Sequence, residues 1–373
     1  MQIPPFLLTH WLKQKFTADP PIEFDLGAST GPVWTVRELL ALEPAAEDRL
    51  FATALSYTPA AGTEELRSEI AAVYGVSADA VHVATGGAEA LLALFFLAAE
   101  PGANVILPDP GYPANDALAE AVGLEPRYYR LRSENSYRLD PDEIRALVDT
   151  RTAFVLVNSP HNPTGAVVTP EEMQAIHEFC VSRNVDLVVD EVYHPIYHGP
   201  ELPSAACLER AIVLGDLSKA LCLSGLRTGW IVDRDPDRRA RFNNARSYFT
   251  ASNTALGELL GAVALRHREA VLARARRVAA ANLALLDDFF AAHRDTLQWV
   301  RPAGGFTGMP WLADGSDGRQ FCLRAMRHGV MLAPGDCFRM PTHFRIGFAA
   351  SGDQFAAGLA RLDSMLRACG AGW

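Results

Sequence analysis

From residue 81 to residue 232, short β-rich runs alternate with helical patterns, and this alternation restricts the chain's fold more than any other feature. The runs are residues 81–83, 104–107, 127–129, 153–157, 185–189, 211–214 and 230–232. Several are apolar on both faces, as strands are when helices cover both sides of a sheet. Helical patterns such as residues 171–183 lie between most of them. The expectation is an α/β fold whose large domain holds a mostly parallel seven-stranded sheet flanked by helices. Ligands of such sheets collect outside the carboxyl ends of the strands, so the residues just after each run are the place to look for chemistry.

The regions flanking this one read differently. Residues 3–16 have helical spacing and end at Ala18-Asp19-Pro20-Pro21. Phe24 to Pro32 is an extended piece running into a glycine-rich turn, read here as a change of chain direction. Thr63 is placed to cap a helix carrying Leu66, Ile70 and Val73 on one face. After Phe242 the pattern is helical to about residue 293, with one long segment over 258–290. A mixed tail comes next: the turn Gly304-Gly305, a helix over 319–328, a strand over 343–348 and a last helix over 354–368. These predict a smaller α+β domain.

The strand ends carry an unusual inventory. After the first run come Thr85-Gly86-Gly87-Ala88-Glu89-Ala90, a glycine turn opening a helix. Free N–H groups and the dipole at a helix start favour a phosphate, although such turns are common and the motif alone is weak. Pro108-Asp109-Pro110-Gly111-Tyr112 puts an aromatic ring near the same edge. The run ending at Val157 leads into Asn158-Ser159-Pro160-His161-Asn162-Pro163-Thr164-Gly165, where the Asn162 amide can donate to an oxygen anion. Asp190-Glu191-Val192-Tyr193 places a carboxylate at the end of a buried strand, which is costly unless it meets a cation or donors. Ser218-Lys219 comes after the next run, with Arg227 eight positions on. A desolvated lysine loses its proton readily and condenses with carbonyls.

Composition narrows the choice of ligand. A formal charge of −10 with no basic run argues against nucleic acid. No apolar stretch approaches the roughly twenty residues of a membrane span, and no signal-peptide pattern opens the chain. Six cysteines without CxxC pairs point to neither a disulfide framework nor a metal site. The expectation is a cytoplasmic protein with a small-molecule partner. The strand-end groups fit one such molecule: a phosphate at Gly86–Ala88 and Arg227, an aromatic ring on Tyr112, a phenolic oxygen at Asn162 and Tyr193, a ring nitrogen at Asp190 and an aldehyde at Lys219. That molecule is pyridoxal 5′-phosphate.

Asn-Pro-Thr-Gly, Asp-Glu-Val-Tyr and Ser-Lys with a later Arg-x-Gly-Trp, in this order, resemble the fold-type I pyridoxal-phosphate enzymes, specifically the class I/II aminotransferases, over most of the chain. The resemblance implies Lys219 as the Schiff-base lysine and proton carrier, and Asp190 as the partner of the ring nitrogen. It implies Tyr193 and Asn162 on the ring oxygen, Tyr112 stacked on the ring, and Gly86, Gly87, Ala88 and Arg227 around the phosphate. Arg345, in the strand over 343–348, is implied as the fork that binds the substrate α-carboxylate. Gly27 is implied to let the N-terminal segment close over the substrate. Tyr57 is implied to reach the phosphate of a neighbouring subunit, hence a homodimer. The implied domains are residues 1–45 packing with the small domain, 46–255 binding the cofactor, and 256–373 comprising a linking helix and the small domain.

One position departs from the pattern. Three residues before the lysine the family usually has Ser or Thr donating to the phosphate, and here it is Asp216. An ionised carboxylate cannot donate and repels a phosphate dianion, so Asp216 either points to another donor or marks specialised chemistry. The leading expectation is therefore transfer of an amino group from an α-amino acid to a keto acid. The alternative is a relative of the same fold that eliminates, decarboxylates, cyclises or oxidises. A cofactor-binding sensor without turnover is a third class, for which no DNA-binding segment is seen. Trp34, His10, Trp11 and residues 306–311 are candidate pocket walls or ordinary core.

Overall fold

The computed structural model describes residues 4–350 and 354–369. Its strands in chain order begin with β1 (Phe24–Asp25), β2 (Val81–Ala84), β3 (Asn104–Asp109), β4 (Glu125–Arg130) and β5 (Thr152–Asn158). They continue with β6 (Asp186–Asp190), β7 (Ala211–Asp216) and β8 (Gly229–Val232). β2 to β8 form one seven-stranded sheet in the order β2-β8-β7-β6-β5-β3-β4. All of its pairings are parallel except the two made by β8, so each predicted run is a strand and the sheet is mostly parallel as expected.

Local chemistry explains the helices that cover it. Thr169 and Glu172 form a reciprocal capping box on the helix Pro170–Arg183, and Asn184, left-handed at φ 54°, closes its far end. The helix Gly86–Leu97 is apolar along most of its length and buries one sheet face with Phe95, Leu91 and Leu94. The opposite face packs Val83, Ile106, Val155, Val189 and Val213. A sheet buried on both sides by such residues fixes the strand ends as the accessible edge.

The remaining strands are β9 (Leu297–Gln298), β10 (Thr307–Gly308), β11 (Trp311–Leu312), β12 (Val330–Met331), β13 (Ala333–Pro334) and β14 (Phe344–Gly347). β14 sits between β10 and β13 in an antiparallel sheet. The N-terminal segment joins these elements: β1 pairs with β12, Gly347 N–H donates to Leu26 O at 2.7 Å, and Trp11 Nε1 donates to Leu332 O at 2.6 Å.

Three local expectations need correction. The long helical segment is two helices, Ala255–Arg266 and Arg268–Ala292, broken at His267, whose φ of −103° and ψ of 25° leave the helical region. No glycine or proline marks that break. Thr63 precedes the helix Glu64–Tyr74, but its side chain makes no capping bond; its backbone N–H goes instead to the buried Glu258 carboxylate at 2.6 Å. The N-terminal helix is short, Leu7–Lys13, continued by a 3₁₀ turn to Phe16, and Ile3 lies outside the described residues. Among the described residues no helix is long and apolar enough to cross a membrane.

Candidate active site

A cavity of about 300 Å³ opens at the carboxyl edge of the large sheet. Its walls bring together Gly87 and Ala88 after β2, Tyr112 after β3, Asn158 and Asn162 after β5, Asp190 and Tyr193 at the end of β6, Asp216 and Lys219 at the end of β7, and Arg227 before β8. Arg345 enters from β14. Residues from Gly87 to Arg227 thus meet because successive strands of the large sheet end at one edge, and Arg345 is brought to them by β14 of the smaller antiparallel sheet.

Lys219 is half-buried in the cavity wall, and desolvation pushes its ammonium below the ordinary lysine value, against the pull of the Asp216 carboxylate. Its Nζ donates to Ser29 Oγ at 3.1 Å. Asp190 is pushed up to about 7, mainly by burial, with the Val192 N–H on Oδ1 (3.2 Å) opposing the shift. Such a carboxyl is poised to ionise fully once a cation lies against it. Burial likewise raises the Tyr193 phenol, whose O–H donates to Ser29 O at 3.0 Å. Asn162 is held by its backbone N–H on Asn158 Oδ1 (2.8 Å), while Asn158 Nδ2 donates to Asp190 O at 2.9 Å. The two strand ends are thereby locked to each other.

Arg345 is 1% exposed, and desolvation lowers its guanidinium below the usual value. Nη1 donates to Asn162 Oδ1 (3.1 Å) and Nη2 to Gly27 O (2.7 Å), while Nε is buried without a partner in the protein. Period-two alternation alone would set Arg345 apart from Phe344 and Ile346; in the structure all three are buried. The phosphate end is equally confined. A Cβ on Gly86, whose φ is +76°, would lie 2.5 Å from Arg227 Nη2, so only glycine lets this turn approach the guanidinium. Ser218 Oγ is buried and also unpartnered. Buried donors left open are costly unless a ligand meets them. Together with the Gly86–Arg227 cradle and a carboxyl tuned to about 7, they fit pyridoxal phosphate.

Other predicted residues lie elsewhere. Gly86 supports the turn rather than lining the cavity, and Gly27 contributes its carbonyl. Tyr57 is 87% exposed and outside the cavity of its own chain. Asp216 turns Oδ1 onto the Ser218 N–H at 2.8 Å. Trp11 is core, and Trp34 lies under the Arg274 guanidinium; neither, nor His10, lines the pocket. Phe306 meets the Tyr193 ring edge-on from outside it. From the N-terminal helix the walls are Phe6, Leu8, Thr9 and Leu12, with Phe6 edge-on to Tyr112 at 5.8 Å. Sequence reasoning missed Ser29, Asn158 and Ser218. Asn158 was the most accessible of these, a polar residue directly after the apolar run 153–157.

Fold and cofactor together define a pyridoxal-phosphate enzyme of the α/β type. Residues 25–360 match the family described as aminotransferase class I and II, and the chain belongs to that family. It is 31% identical over 370 residues to capreomycidine synthase of Streptomyces vinaceus, covering 98% of this chain and 94% of that one. It is also 31% identical over 353 residues to valine–pyruvate aminotransferase of Mycobacterium tuberculosis, covering 86% of each. Among solved structures, the pyridoxal-phosphate-dependent cyclase OrfR superposes with a TM-score of 0.90 at 29% identity, over 99% of this chain and 98% of that one.

Proposed function

We propose that the chain transfers the amino group of an α-amino acid to a keto acid. The observation that carries this is the convergence of a neutral-prone lysine, a tuned carboxyl and a buried guanidinium with a free donor in one cavity. When bound, pyridoxal phosphate supplies an aldehyde that condenses with amines and a cationic ring that draws electrons from the substrate Cα. Lys219 would be the amine that tethers it, Asp190 would partner the ring nitrogen, Tyr193 and Asn162 the ring oxygen, and Tyr112 the ring face. Gly86, Gly87, Ala88, Ser218 and Arg227 would hold the phosphate. Arg345 binds the α-carboxylate through its fork and so orients Cα. Lys219 Nζ, with its charge disfavoured by burial, takes the α-proton and returns it. Tyr57, exposed on its own chain, reaches the phosphate of a second copy in a homodimer.

A second reading is elimination with ring closure on a single amino acid. It is favoured by the match over nearly the whole chain to capreomycidine synthase and to the cyclase OrfR. Both readings share proton removal at Cα and differ in the fate of the carbanion it leaves. Purified protein loaded with cofactor is incubated with a panel of amino acids, with and without pyruvate or 2-oxoglutarate, and products are weighed by mass spectrometry. Amino-group transfer requires the keto acid for every turnover after the first and yields a new keto acid. Sustained turnover without any keto acid, giving a dehydrated or cyclic product, refutes the first reading in favour of the second.

A further inference from the structure

Among the described residues, Asp216 is the one carboxylate at the phosphate end of the cavity, and it opposes a phosphate. Its orientation is fixed: Oδ1 accepts the Ser218 N–H at 2.8 Å, and Oδ2 comes within 3.4 Å of where a Cβ on Gly87 would lie, at the first turn of the helix Gly86–Leu97. That turn is where the N–H groups meet an anion. Asp216 therefore faces the same small volume as the unpartnered Ser218 Oγ and the Arg227 guanidinium. The other charged and titratable groups around it are Lys219, three residues on from the same strand end, and Asp190 at the end of the neighbouring β6, with the phenols of Tyr74, Tyr112 and Tyr193 beyond.

A carboxylate and a phosphate dianion cannot both sit there without repulsion, whereas a single proton between them turns the clash into a strong O–H···O⁻ hydrogen bond. Resting on the reading that pyridoxal phosphate occupies this cavity, we propose that Asp216 is a phosphate ligand in its protonated form, so that the site takes up one proton with the phosphate. The proton comes from solvent and is shared between Asp216 Oδ2 and a phosphate oxygen; no other bond changes. The cradle is thereby selective for the singly charged phosphate ester, unlike one built with a hydroxyl at this position.

The test uses the full chain freed of cofactor and pyridoxine 5′-phosphate as probe, because it lacks the aldehyde and leaves Lys219 chemistry aside. At pH 8 the free phosphate is a dianion, its second pKa being about 6. Isothermal titration in buffers of different ionisation enthalpy counts protons taken up. The wild type is expected to take up about one proton more than Asp216→Asn, with affinity falling about tenfold per pH unit where the asparagine variant's does not. Asp216→Asn keeps an acceptor for the Ser218 N–H and offers an amide donor without titrating; Asp216→Ser is the second variant, and circular dichroism checks both folds. The ³¹P resonance of bound probe is expected nearer the monoanion position in the wild type and nearer the dianion position in the variants. Binding with equal proton counts and a dianionic resonance throughout overturns the role of Asp216 and leaves the cofactor reading intact. Failure of all three proteins to bind the probe overturns both.

Discussion

Replacing Arg345 by lysine tests the carboxylate end of the site without removing its charge. The guanidinium holds three directions at once: Nη1 on Asn162 Oδ1, Nη2 on Gly27 O, and a buried Nε with no protein partner. A substrate carboxylate can take two parallel N–H bonds from such a fork. A lysine ammonium on a flexible stem offers a point charge instead and cannot present two coplanar donors. The loss is then one charge-assisted hydrogen bond, about 1.5–3 kcal/mol. At about 1.4 kcal/mol per factor of ten, kcat/KM falls roughly ten- to a hundredfold.

The assay is steady-state kinetics with the best amino acid from the panel, alongside titration of the cofactor into each protein. The fall is expected to lie mostly in KM; Arg345 bonds no residue of the phosphate end, but its Nη1 bond to Asn162 Oδ1 is lost as well, so cofactor affinity is expected to fall too, by less than the substrate term. An unchanged KM, or a variant that loses the cofactor, would refute the assignment of Arg345 to the substrate carboxylate.

Lys219→Ala is expected to abolish turnover and borohydride labelling by the cofactor while leaving the circular dichroism spectrum unchanged; full turnover in this variant excludes the role given to Lys219. Asp190→Asn probes linkage in the cofactor-free protein. The folded state holds this proton up to about pH 7 whereas the unfolded chain releases it near 3.8, so the group's contribution to stability declines as pH rises between those values. Asparagine is therefore expected to stabilise the apoprotein at pH 8, by up to about 4 kcal/mol, and to make little difference at pH 4. Urea melts at both pH values check this, and an identical pH slope in both proteins counts against it. Glu191, also raised to about 7 mainly by burial, is present in both, and because the Asp190 charge adds to its shift it cancels only in part. Glu258→Ala removes a carboxylate that is 0% exposed and accepts from Thr58 Oγ1 (2.9 Å) and Thr63 N–H (2.6 Å). The expected loss is roughly 2–4 kcal/mol, or about 4 °C in Tm for a chain of this length; a melt unchanged within about 1 °C would show the segment is held otherwise.

How much of the fold and the site was legible in the sequence depended on whether a residue's partner was set by its own strand. Asp190, Asn162, Tyr193 and Lys219 each come shortly after an apolar run, and parallel pairing carries all four to one edge. Their placement needed only strand periodicity and the rule for strand ends. Ser29 had no such signal. It lies in a turn that reads as a simple change of direction, and it reaches Lys219 only because β1 pairs with β12, some 300 residues away. Ser218 was visible as the neighbour of the lysine, but its open hydroxyl depends on the path of the chain around it. The helix break at His267 left no trace because Arg266-His267-Arg268 contains no breaker residue. Glu258 looked like one polar position in an Ala- and Leu-rich helix, since its partners Thr58 and Thr63 are far away in sequence.

The turn at residues 26–29 connects the two ends of the site. Gly27 O holds Arg345 Nη2, Ser29 O holds the Tyr193 phenol, and Ser29 Oγ holds Lys219 Nζ. Leu26 O meanwhile accepts from Gly347 N–H in β14, the strand that carries Arg345. Groups assigned to the cofactor and to the substrate carboxylate are thus bonded to one short stretch of backbone. A carboxylate that engages Arg345 competes with Gly27 O, and an aldehyde that engages Lys219 competes with Ser29 Oγ. Ligands at either end therefore act on the same segment, and that segment leads back to the helix whose Phe6, Leu8, Thr9 and Leu12 wall the cavity. The turn thus ties the guanidinium, the phenol and the lysine by hydrogen bonds to the backbone that leaves β1, the strand paired with β12.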